Sequence, residues 1–437
     1  MIVTKFGGTS MASADQFKKV RNIIEGDSER QIVVVSAPGK RTKDDIKITD
    51  LLYTLYMHLQ YGVPYADIWD MIAGRYMEIA RDLELDYDIS VDLAAFKAEL
   101  NKHIDQNYLV SRGEFFSAKL MSAYLGFDFV DSKDIIRFNY NGTVDYERSE
   151  QNAKKLFSSH GRIVVPGFYG SYPNRDICLF SRGGSDITGS YLAAFLNARI
   201  YENWTDVTGI LATDPRIVEN PKNISQITYA ELRELSYMGA NVLHEDSIAP
   251  LQDKNISINI RNTNEPECAG TIIKKDCYDD SSIITGISGK KDFVSFDILK
   301  DHMSTEIGFT RRVLEIFESY KINVEHVPTG IDSMSIVVSG ASVGSNMYDI
   351  VSKIETEMGA KVTAKKELAL VAIVGRNMVG KSGICARVFA SLSAVDINIK
   401  MIAQPPDETT IIVGVDNINY KKAIKALYED FEKANWI

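Results

Sequence analysis

Two glycine pairs, each between a strand-like run and a helical pattern, are the first candidates for chemistry. They lie in Lys5-Phe-Gly-Gly-Thr-Ser10 and in Phe180-Ser-Arg-Gly-Gly-Ser-Asp186. Glycines let the backbone approach a bulky anion closely, and successive N–H groups ahead of a helix favour negative charge. Lys5 would place an ammonium against a phosphoryl group, and Arg182 would offer a bidentate guanidinium to a carboxylate. One such corner is also typical of an ordinary strand–turn–helix junction, but two of them favour a site for anion transfer.

Three further segments carry charges at the predicted ends of elements. Ser111-Arg-Gly-Glu114 predicts a helix start, where a carboxylate is stabilised whatever the function, or where Glu114 binds a cationic group such as the ammonium of an amino acid. Trp204-Thr-Asp206 is predicted to end a strand. Thr213-Asp-Pro-Arg216 predicts a turn set by proline, and Arg216 there is either solvated or close to nucleotide phosphates.

The elements that must position these residues alternate between apolar strand-length runs and helical patterns. The runs are residues 2–6, 31–36, 127–131, 162–166, 177–180, 199–204 and 256–260. Continuous apolar runs separated by helices predict a largely parallel sheet covered on both faces, with ligands at the carboxyl ends of its strands. Residues 62–103 contain no such run and predict an inserted helical region.

Beyond a polar linker at residues 274–282, the sequence contains an internal repeat. The matching pairs, each separated by 75 residues, are Gly308 and Gly383, Arg312 and Arg387, Asn323 and Asn398, and Ser335 and Thr410. Each unit is predicted as strand, helix, strand, strand, helix. Residues 360–364 would close the sheet of the first unit. Residues 283–288 are predicted to complete the sheet of the second, so that the first unit is nested inside it.

One motif in this repeat predicts a nucleotide site that the repeat itself argues against. Gly375-Arg-Asn-Met-Val-Gly-Lys-Ser382 satisfies the P-loop pattern letter for letter. The repeat places this loop opposite residues 302–307, which have no such motif, and only 55 residues follow Ser382. The match is therefore predicted to be a coincidence.

Composition excludes several classes of function. The 437 residues carry 49 Lys and Arg against 59 Asp and Glu, a net charge of −10, which argues against nucleic acid or an anionic membrane as the main partner. No apolar run approaches the roughly 18 residues of a membrane span. Four cysteines without a C-x-x-C pair and six histidines without H-E-x-x-H spacing argue against a disulfide scaffold and a zinc site. We expect a cytoplasmic, multi-domain protein without a dedicated metal site.

Taken together, the motifs resemble those of the aspartate kinases, and the repeat resembles a pair of ACT domains. The matching segments are residues 5–10, 111–114, 182–186, 204–206, 214–216 and 239–244. The resemblance implies an α/β amino-acid-kinase fold, with a mostly parallel sheet sandwiched by helices, followed by two C-terminal α+β ferredoxin-like ACT domains. The implied bounds are 1–275 for the kinase domain, 292–365 for the first ACT domain and 366–437 for the second.

The resemblance implies ATP-dependent phosphorylation of the β-carboxylate of L-aspartate to 4-phospho-L-aspartate, with Mg²⁺, as the first step toward lysine, threonine and methionine. Lys5, Arg182 and Asp186 would be the catalytic residues. The implied aspartate-binding residues are Thr49, Glu114, Arg182 and Ser185. The implied ATP-binding residues are Lys5, Gly7, Gly8, Ser10, Thr205, Asp206, Asp214 and Arg216.

The ACT pair implies feedback regulation by an end-product amino acid, with lysine favoured over threonine. Met303, Thr305, Glu325 and Thr329 fall where such enzymes bind lysine, although a helix start and a strand edge without a ligand explain them equally well. Glu325 stands where the usual pattern has Asp. A homodimer or homotetramer formed through the ACT domains is expected.

Two positions depart from the family pattern. Asn241 replaces a usual Lys and Leu211 a usual Tyr, which puts nucleotide affinity in doubt. Lys40, Arg41 or Lys43 would be the substitutes for the lost charge. Two alternatives therefore stay open: a catalytically weak regulatory protein that senses amino acids, and a sister amino-acid kinase that acts on another carboxylate.

Overall fold

The predicted strands of the N-terminal part are present in the computed structural model, which describes residues 1–180, 183–239, 243, 245–277 and 282–437. The strands described before residue 275 are β1 (Ile2–Phe6), β2 (Arg30–Val35), β3 (Asp128–Phe129), β4 (Ile163–Pro166), β5 (Tyr169–Ser171), β6 (Ile177–Leu179), β7 (Ile200–Thr205), β8 (Ile210–Leu211), β9 (Asn223–Ile224), β10 (Gln226–Thr228), β11 (Ser257–Asn262) and β12 (Thr271–Lys274).

Eight of these strands form one sheet, in the order β10-β12-β11-β7-β1-β2-β4-β3. All neighbours in it are parallel except β11 and β12. All five residues of β1 and all four of β4 are buried, as expected for strands covered on both faces. The predicted, mostly parallel α/β sheet is confirmed.

Helices cover both faces of this sheet. The helices described before residue 275 are α1 (Ala14–Glu25), α2 (Ile48–Tyr61), α3 (Ala66–Asp82), α4 (Ile89–Glu99), α5 (Gln106–Leu125), α6 (Ser132–Ile135), α7 (Tyr146–His160), α8 (Gly184–Phe195), α9 (Tyr229–Tyr237) and α10 (Ala249–Asp253). Apolar residues of α1 to α5 share one core with Phe6, Val33 and Trp204. On the opposite face α8 lies so close to β7 that a Cβ on Gly189 would be 2.7 Å from the Tyr201 ring. Residues 62–103 contain the helices α3 and α4 and no strand, as predicted.

Two local predictions are wrong. Residues 177–180 do not extend the main sheet, because β6 pairs antiparallel with β5 in a separate hairpin. The second glycine corner therefore leaves a hairpin, whereas the first leaves the main sheet. Glu114 does not begin a helix, because α5 starts at Gln106, where the Asp105 carboxylate accepts a hydrogen bond from the Tyr108 N–H.

The C-terminal part forms an antiparallel sheet of six strands. The elements are β13 (Gly286–Leu299), α11 (Phe309–Ser319), β14 (Val324–His326), β15 (Ser333–Ser339), α12 (Gly340–Val343), α13 (Met347–Met358), β16 (Lys361–Val374), α14 (Ile384–Ser393), β17 (Met401–Ala403), β18 (Thr410–Asp416) and α15 (Tyr420–Lys433). The sheet order is β14-β15-β13-β16-β18-β17. The helices α11 and α14 begin 75 residues apart, each after a glycine with positive φ, Gly308 and Gly383.

Two 14-residue strands, β13 and β16, run through both halves of this sheet. The early part of β13 pairs with the late part of β16, with Gly286 opposite Val374 and Ser288 opposite Ala372. The late part of β13 pairs with the early part of β16. Residues 283–288 therefore lead into the half of the sheet that contains β18, which supports the nested arrangement.

Contacts within the chain divide it into two units. The first contains Met1–Ile210, Ser225–Tyr229 and Val242–Tyr278, and the second contains Leu211–Ile224, Ala230–Asn241 and Asp279–Ile437. The second unit thus includes two short segments that precede the predicted boundary at residue 275. The predicted domain bounds stay predictions. In the part of the chain that the structure describes, the helices are all too short or too polar to cross a bilayer.

A buried ion pair stabilises the second unit. The Glu231 side chain on α9 is 1% exposed, and its carboxylate accepts hydrogen bonds from the Arg376 guanidinium at 2.9 Å and from the Thr285 hydroxyl at 2.5 Å. Removing one partner of a buried pair leaves the other charge buried without compensation.

We predict that Glu231→Gln lowers the free energy of unfolding by about 3 kcal/mol. Glu234→Gln is the matched control, because Glu234 lies on the same helix and, among the described residues, accepts a single long bond of 3.3 Å from Thr410. The control should change the free energy by less than about 1 kcal/mol. Urea titration of the full chain measures both, and equal losses would contradict the prediction.

Candidate active site

The central parallel strands end along one line. Phe6 pairs with Val35 on one side and with Trp204 on the other, and Val35 pairs with Pro166. The segments that follow β1, β2, β4 and β7 therefore leave the sheet at the same edge. In an open α/β sheet this edge is where ligands bind.

The first glycine corner lies at this edge, and its backbone is packed closely at Gly8. The Gly7 N–H donates to the Trp204 carbonyl at 3.0 Å. A Cβ on Gly8 would lie 3.1 Å from the Ala37 carbonyl oxygen, and the Gly39 N–H donates to the Gly8 carbonyl at 2.7 Å. The loop after β1 is thus held against the loop after β2, and it continues through a 3-10 turn (Gly8–Met11) to α1, which begins at Ala14. This arrangement suits an anion bound by backbone N–H groups.

Lys5 and Asp186 form an ion pair beside this corner. The Lys5 ammonium lies 2.6 Å from the Asp186 carboxylate, and Lys5 is only 7% exposed. The Asn203 side chain contacts both groups, since it accepts from Lys5 Nζ at 3.4 Å and donates to Asp186 Oδ1 at 2.9 Å. Asp186 lies in the first turn of α8. The structure therefore brings together two of the three predicted catalytic residues.

Glu114 is a buried carboxyl group on α5. Its Oε1 accepts a 3.2 Å hydrogen bond from the Ala37 N–H, whereas its Oε2 is buried with no hydrogen-bond partner among the described residues. Burial raises the pKa of Glu114 from its ordinary value of 4.5 to about 8. A buried carboxyl with an unused oxygen is suited to bind a cation, because a cation would favour its charged form.

Glycine lets α5 reach the loop after β2. A Cβ on Gly113 would lie 2.9 Å from the Ala37 Cβ, so a larger residue would push Glu114 away from Ala37. The same Ala37 has its carbonyl oxygen against Gly8. One short segment thus connects Glu114 with the glycine corner.

Buried polar contacts fix the rest of the loop after β2. The Arg75 guanidinium on α3 donates to the Gly39 carbonyl at 3.1 Å and to the Asp45 carboxylate at 2.8 Å. The Ile48 N–H donates to the Pro38 carbonyl at 3.1 Å, so the start of α2 is held against the same loop. Thr49 lies in this first turn of α2. Arg41, a suggested substitute cation, is paired with Asp45 and with Glu78.

The remaining predicted residues of the kinase site fall into three groups. Gly7, Ser10, Ser185, Thr205 and Asp206 lie in the first unit; Thr205 and Asp206 follow one another at the end of β7, and their side chains are 3.1 Å apart. Asp214 and Arg216 lie in the second unit, where they pair with each other at 2.7 Å. Arg182, like Asn241, lies outside the described residues.

The four predicted effector residues lie in the second unit. Met303 and Thr305 lie in a turn after β13, and the Ser304 N–H donates to the Ile331 carbonyl at 3.1 Å, next to the loop that contains Thr329. Glu325 lies on β14, and its carboxylate accepts a hydrogen bond from the Tyr237 hydroxyl on α9. The turn and the loop lie side by side, and Glu325 already has a partner on α9.

Sequence reasoning missed three residues of this site: Asn203, Arg75 and Thr263. The Thr263 hydroxyl lies 2.8 Å from the Ser10 hydroxyl. Only Asn203 gives a local signal, as an amide inside a strand whose other residues are mostly large. The contacts of Arg75 and Thr263 depend on which segments meet in space.

Among residues 1–180, 183–239, 243, 245–277 and 282–437, no cluster of three or more His, Cys, Asp or Glu side chains is placed to hold a metal ion. A Mg²⁺ ion that arrives with a nucleotide needs only one or two protein carboxylates, because phosphates and water supply the other ligands. Asp186 fits this requirement: its Oδ1 takes the bonds from Lys5 and Asn203, and its Oδ2 accepts none within the described part of the chain.

We predict that the stability of the protein without ligands depends on pH through Glu114. The folded chain keeps this proton up to about pH 8, whereas the unfolded chain releases it near pH 4.5. Stability from the protonated carboxyl is therefore complete below pH 4.5 and is lost as the pH rises toward 8. Relative to Glu114→Gln, the wild-type chain should lose about 4 kcal/mol between pH 5 and pH 8.

Urea unfolding of both proteins at pH 5, 6, 7 and 8 measures this difference. Glu147→Gln, which changes an exposed carboxyl on α7, is the control and should follow the wild-type curve. Parallel curves for wild type and Glu114→Gln would contradict the prediction.

The sequence of this chain matches two family profiles and the sequences of known aspartokinases. The profile of the amino acid kinase family matches residues 1–262, and an ACT domain profile matches residues 371–431. Aspartokinase 3 of Bacillus subtilis is 37% identical over 99% of this chain and 98% of its own length. Chloroplastic aspartokinase 1 of Arabidopsis thaliana is 30% identical over 98% of this chain and 80% of its own length.

Solved structures of aspartate kinases also match this chain over almost its full length. The aspartate kinase of Clostridium acetobutylicum superposes with a TM-score of 0.91 at 43% identity, covering 98% of this chain and 99% of that one. Aspartokinase III of Escherichia coli, solved with aspartate and ADP, superposes with a TM-score of 0.74 at 25% identity, covering 98% of this chain and 99% of that one. The chain therefore belongs to the aspartokinases of the amino acid kinase family.

Proposed function

We propose that this chain is an aspartate kinase that transfers the γ-phosphoryl group of ATP to the β-carboxylate of L-aspartate, giving 4-phospho-L-aspartate and ADP. The observation that carries the proposal is the joint placement of two groups at one edge of the sheet. Lys5 lies against the glycine corner, and Glu114 offers a buried carboxyl oxygen with no partner among the described residues. A phosphate donor and an amino acid fit these two groups.

The proposed reaction needs positioning and positive charge more than covalent chemistry. A carboxylate is already a competent nucleophile, so no covalent intermediate is required. The backbone N–H of Gly8 would bind the phosphates, with Gly7 and Ser10 beside it, because the Gly7 N–H already donates to the Trp204 carbonyl. The Lys5 ammonium would stabilise the charge of the transferring phosphoryl group. From their places in the sequence, Thr205, Asp206, Asp214 and Arg216 are also proposed to contact ATP.

Mg²⁺ is part of the proposal as the ion that accompanies ATP. Asp186 would hold it through Oδ2, together with phosphate oxygens and water. When bound, the ion would supply positive charge to the phosphates. Asp186 would keep its bond to Lys5 through Oδ1 at 2.6 Å.

The amino-acid substrate would be held through both of its charges. Glu114 would bind its ammonium, and the hydroxyls of Thr49 and Ser185 would bind its polar groups. Arg182 is proposed to bind a carboxylate from its place in the sequence. Aspartokinase III of Escherichia coli has been solved with aspartate and ADP, which supports this substrate and this nucleotide.

Regulation by an end-product amino acid is also proposed, with the kinase domain at 1–275 and ACT domains at 292–365 and 366–437. Met303, Thr305, Glu325 and Thr329 would bind the effector. Lysine is preferred over threonine, because aspartokinase III of Escherichia coli has also been solved with lysine and aspartate. The ACT domains would join copies of the chain in a dimer or a tetramer.

We predict that the wild-type chain releases ADP from ATP and Mg²⁺ only when aspartate is present, and that Lys5→Ala lowers kcat at least about 100-fold. The reason is the loss of the fixed positive charge beside the transferring phosphoryl group. A coupled ADP assay with a panel of amino acids measures both effects.

Lys97→Ala, which removes an exposed lysine of α4, is the matched control and should keep the wild-type rate. Turnover with another carboxylate would favour a sister kinase. Stabilisation by an amino acid without any turnover would favour a regulatory protein. Unchanged kcat in Lys5→Ala would contradict the assigned role.

We further predict that Glu325→Ala raises the lysine concentration for half-inhibition at least about tenfold, because an ammonium loses its carboxylate partner. Titration of the same assay with lysine, threonine and methionine measures this value and identifies the effector. Glu318→Ala, an exposed change on α11, is the control. Equal inhibition constants in wild type and Glu325→Ala would remove Glu325 from the effector site.

A further inference from the structure

Asn203 lies directly opposite Lys5 in the sheet. The parallel register of β1 and β7 pairs the two residues, and Asn203 is 4% exposed. Their side chains meet Asp186, which lies in the first turn of α8. An asparagine in the centre of a buried strand must place its polar atoms on partners, and here both partners are residues of the proposed catalytic centre.

The chemistry of the two partners fixes the orientation of the amide. An ammonium only donates hydrogen bonds and an ionised carboxylate only accepts them. The Asn203 Oδ1 therefore faces Lys5 at 3.4 Å and its Nδ2 faces Asp186 at 2.9 Å. With the 2.6 Å contact between Lys5 and Asp186, the three side chains form a closed triangle.

This triangle determines where the Lys5 ammonium can point. An ammonium has three N–H groups, and Asp186 and Asn203 take two of them. Because the three N–H groups are arranged tetrahedrally, the direction of the third follows from the other two. The ammonium lies against the glycine corner, since a Cβ on Gly7 would be 3.4 Å from Lys5 Nζ.

We propose that Asn203 is a positioning residue for phosphoryl transfer, which holds Lys5 and Asp186 so that the third N–H of Lys5 is directed to the phosphates. The proposal rests on the proposed function. Unlike a second carboxylate, the neutral amide accepts a bond from Lys5 without cancelling its charge. It also donates to Asp186 and keeps that carboxylate in place.

The experiment compares two substitutions of Asn203 with a matched control in the full chain. Asn203→Leu removes both hydrogen bonds at similar volume. Asn203→Asp keeps the shape but replaces the donor to Asp186 by a negative charge. Asn259→Leu is the control, because Asn259 is a buried asparagine on the neighbouring strand β11 whose Oδ1 has no partner among the described residues.

We predict that both substitutions of Asn203 lower kcat about 10- to 100-fold, as expected when a catalytic group is misplaced by a fraction of an ångström to an ångström. The KM values for ATP and aspartate should stay within about threefold, because the ammonium acts mainly in the transition state. Asn259→Leu should keep kcat within about twofold of wild type. Steady-state kinetics and thermal unfolding of all four proteins give these values.

A wild-type kcat in Asn203→Leu would overturn this inference, and so would a raised KM with kcat unchanged. Equal losses of kcat in Asn203→Leu and Asn259→Leu would also overturn it, because the effect would then be general destabilisation. If Asn203→Leu does not fold, the kcat of Asn203→Asp tests the inference instead, and a wild-type value would overturn it. Absence of aspartate-dependent ADP release by the wild-type chain would instead refute the proposed function, so the two failures are distinguishable.

Discussion

The buried ammonium of Lys5 is the constraint on which the site depends. A charge that is 7% exposed loses most of its hydration and needs a partner inside the protein. Asp186 supplies it at 2.6 Å, although the two residues are far apart in sequence. For that contact α8 must lie very close to the sheet, and glycine makes this approach possible: a Cβ on Gly189 would be 2.7 Å from Tyr201. The ion pair thus links a strand end, a helix start and the packing between them.

Glu114 presents the opposite case at the same edge. Lys5 has the Asp186 carboxylate beside it. Glu114 accepts one hydrogen bond, from the Ala37 N–H to Oε1, and its Oε2 has no partner in the described part of the chain. Its pKa of about 8 follows from that burial. A cation that binds there would restore the charged form, so binding of an ammonium and release of the proton are coupled. The charge of Lys5 is compensated within the protein, while compensation for Glu114 must come from a ligand.

The sequence predicts those features that depend on neighbouring residues or on the internal repeat, and it misses those that depend on the register between strands. The sequence predicts the strand from Ile2, its glycine corner and the helical insertion, because apolar runs and glycines are local signals. The sequence places residues 177–180 in the main sheet instead of in a hairpin with β5, since a short buried strand looks the same in either. The position of Asn203 opposite Lys5 follows only from how β1 and β7 pair. The motifs of the site can therefore be recognised in the sequence, whereas the contacts between the motifs cannot.

The P-loop-like segment shows why letters alone do not define an anion site. Its glycine N–H at Gly380 donates to the Glu408 carboxylate at 2.8 Å, so a side chain already takes the place that a phosphate would need. Its arginine, Arg376, is paired with the buried Glu231. It also follows β16, which is antiparallel to both of its neighbours, so no parallel strand ends meet beside it. The corner at Gly7 has parallel neighbours and a lysine at its side. The difference between the two glycine loops lies in the strands and charges around them rather than in the loops themselves.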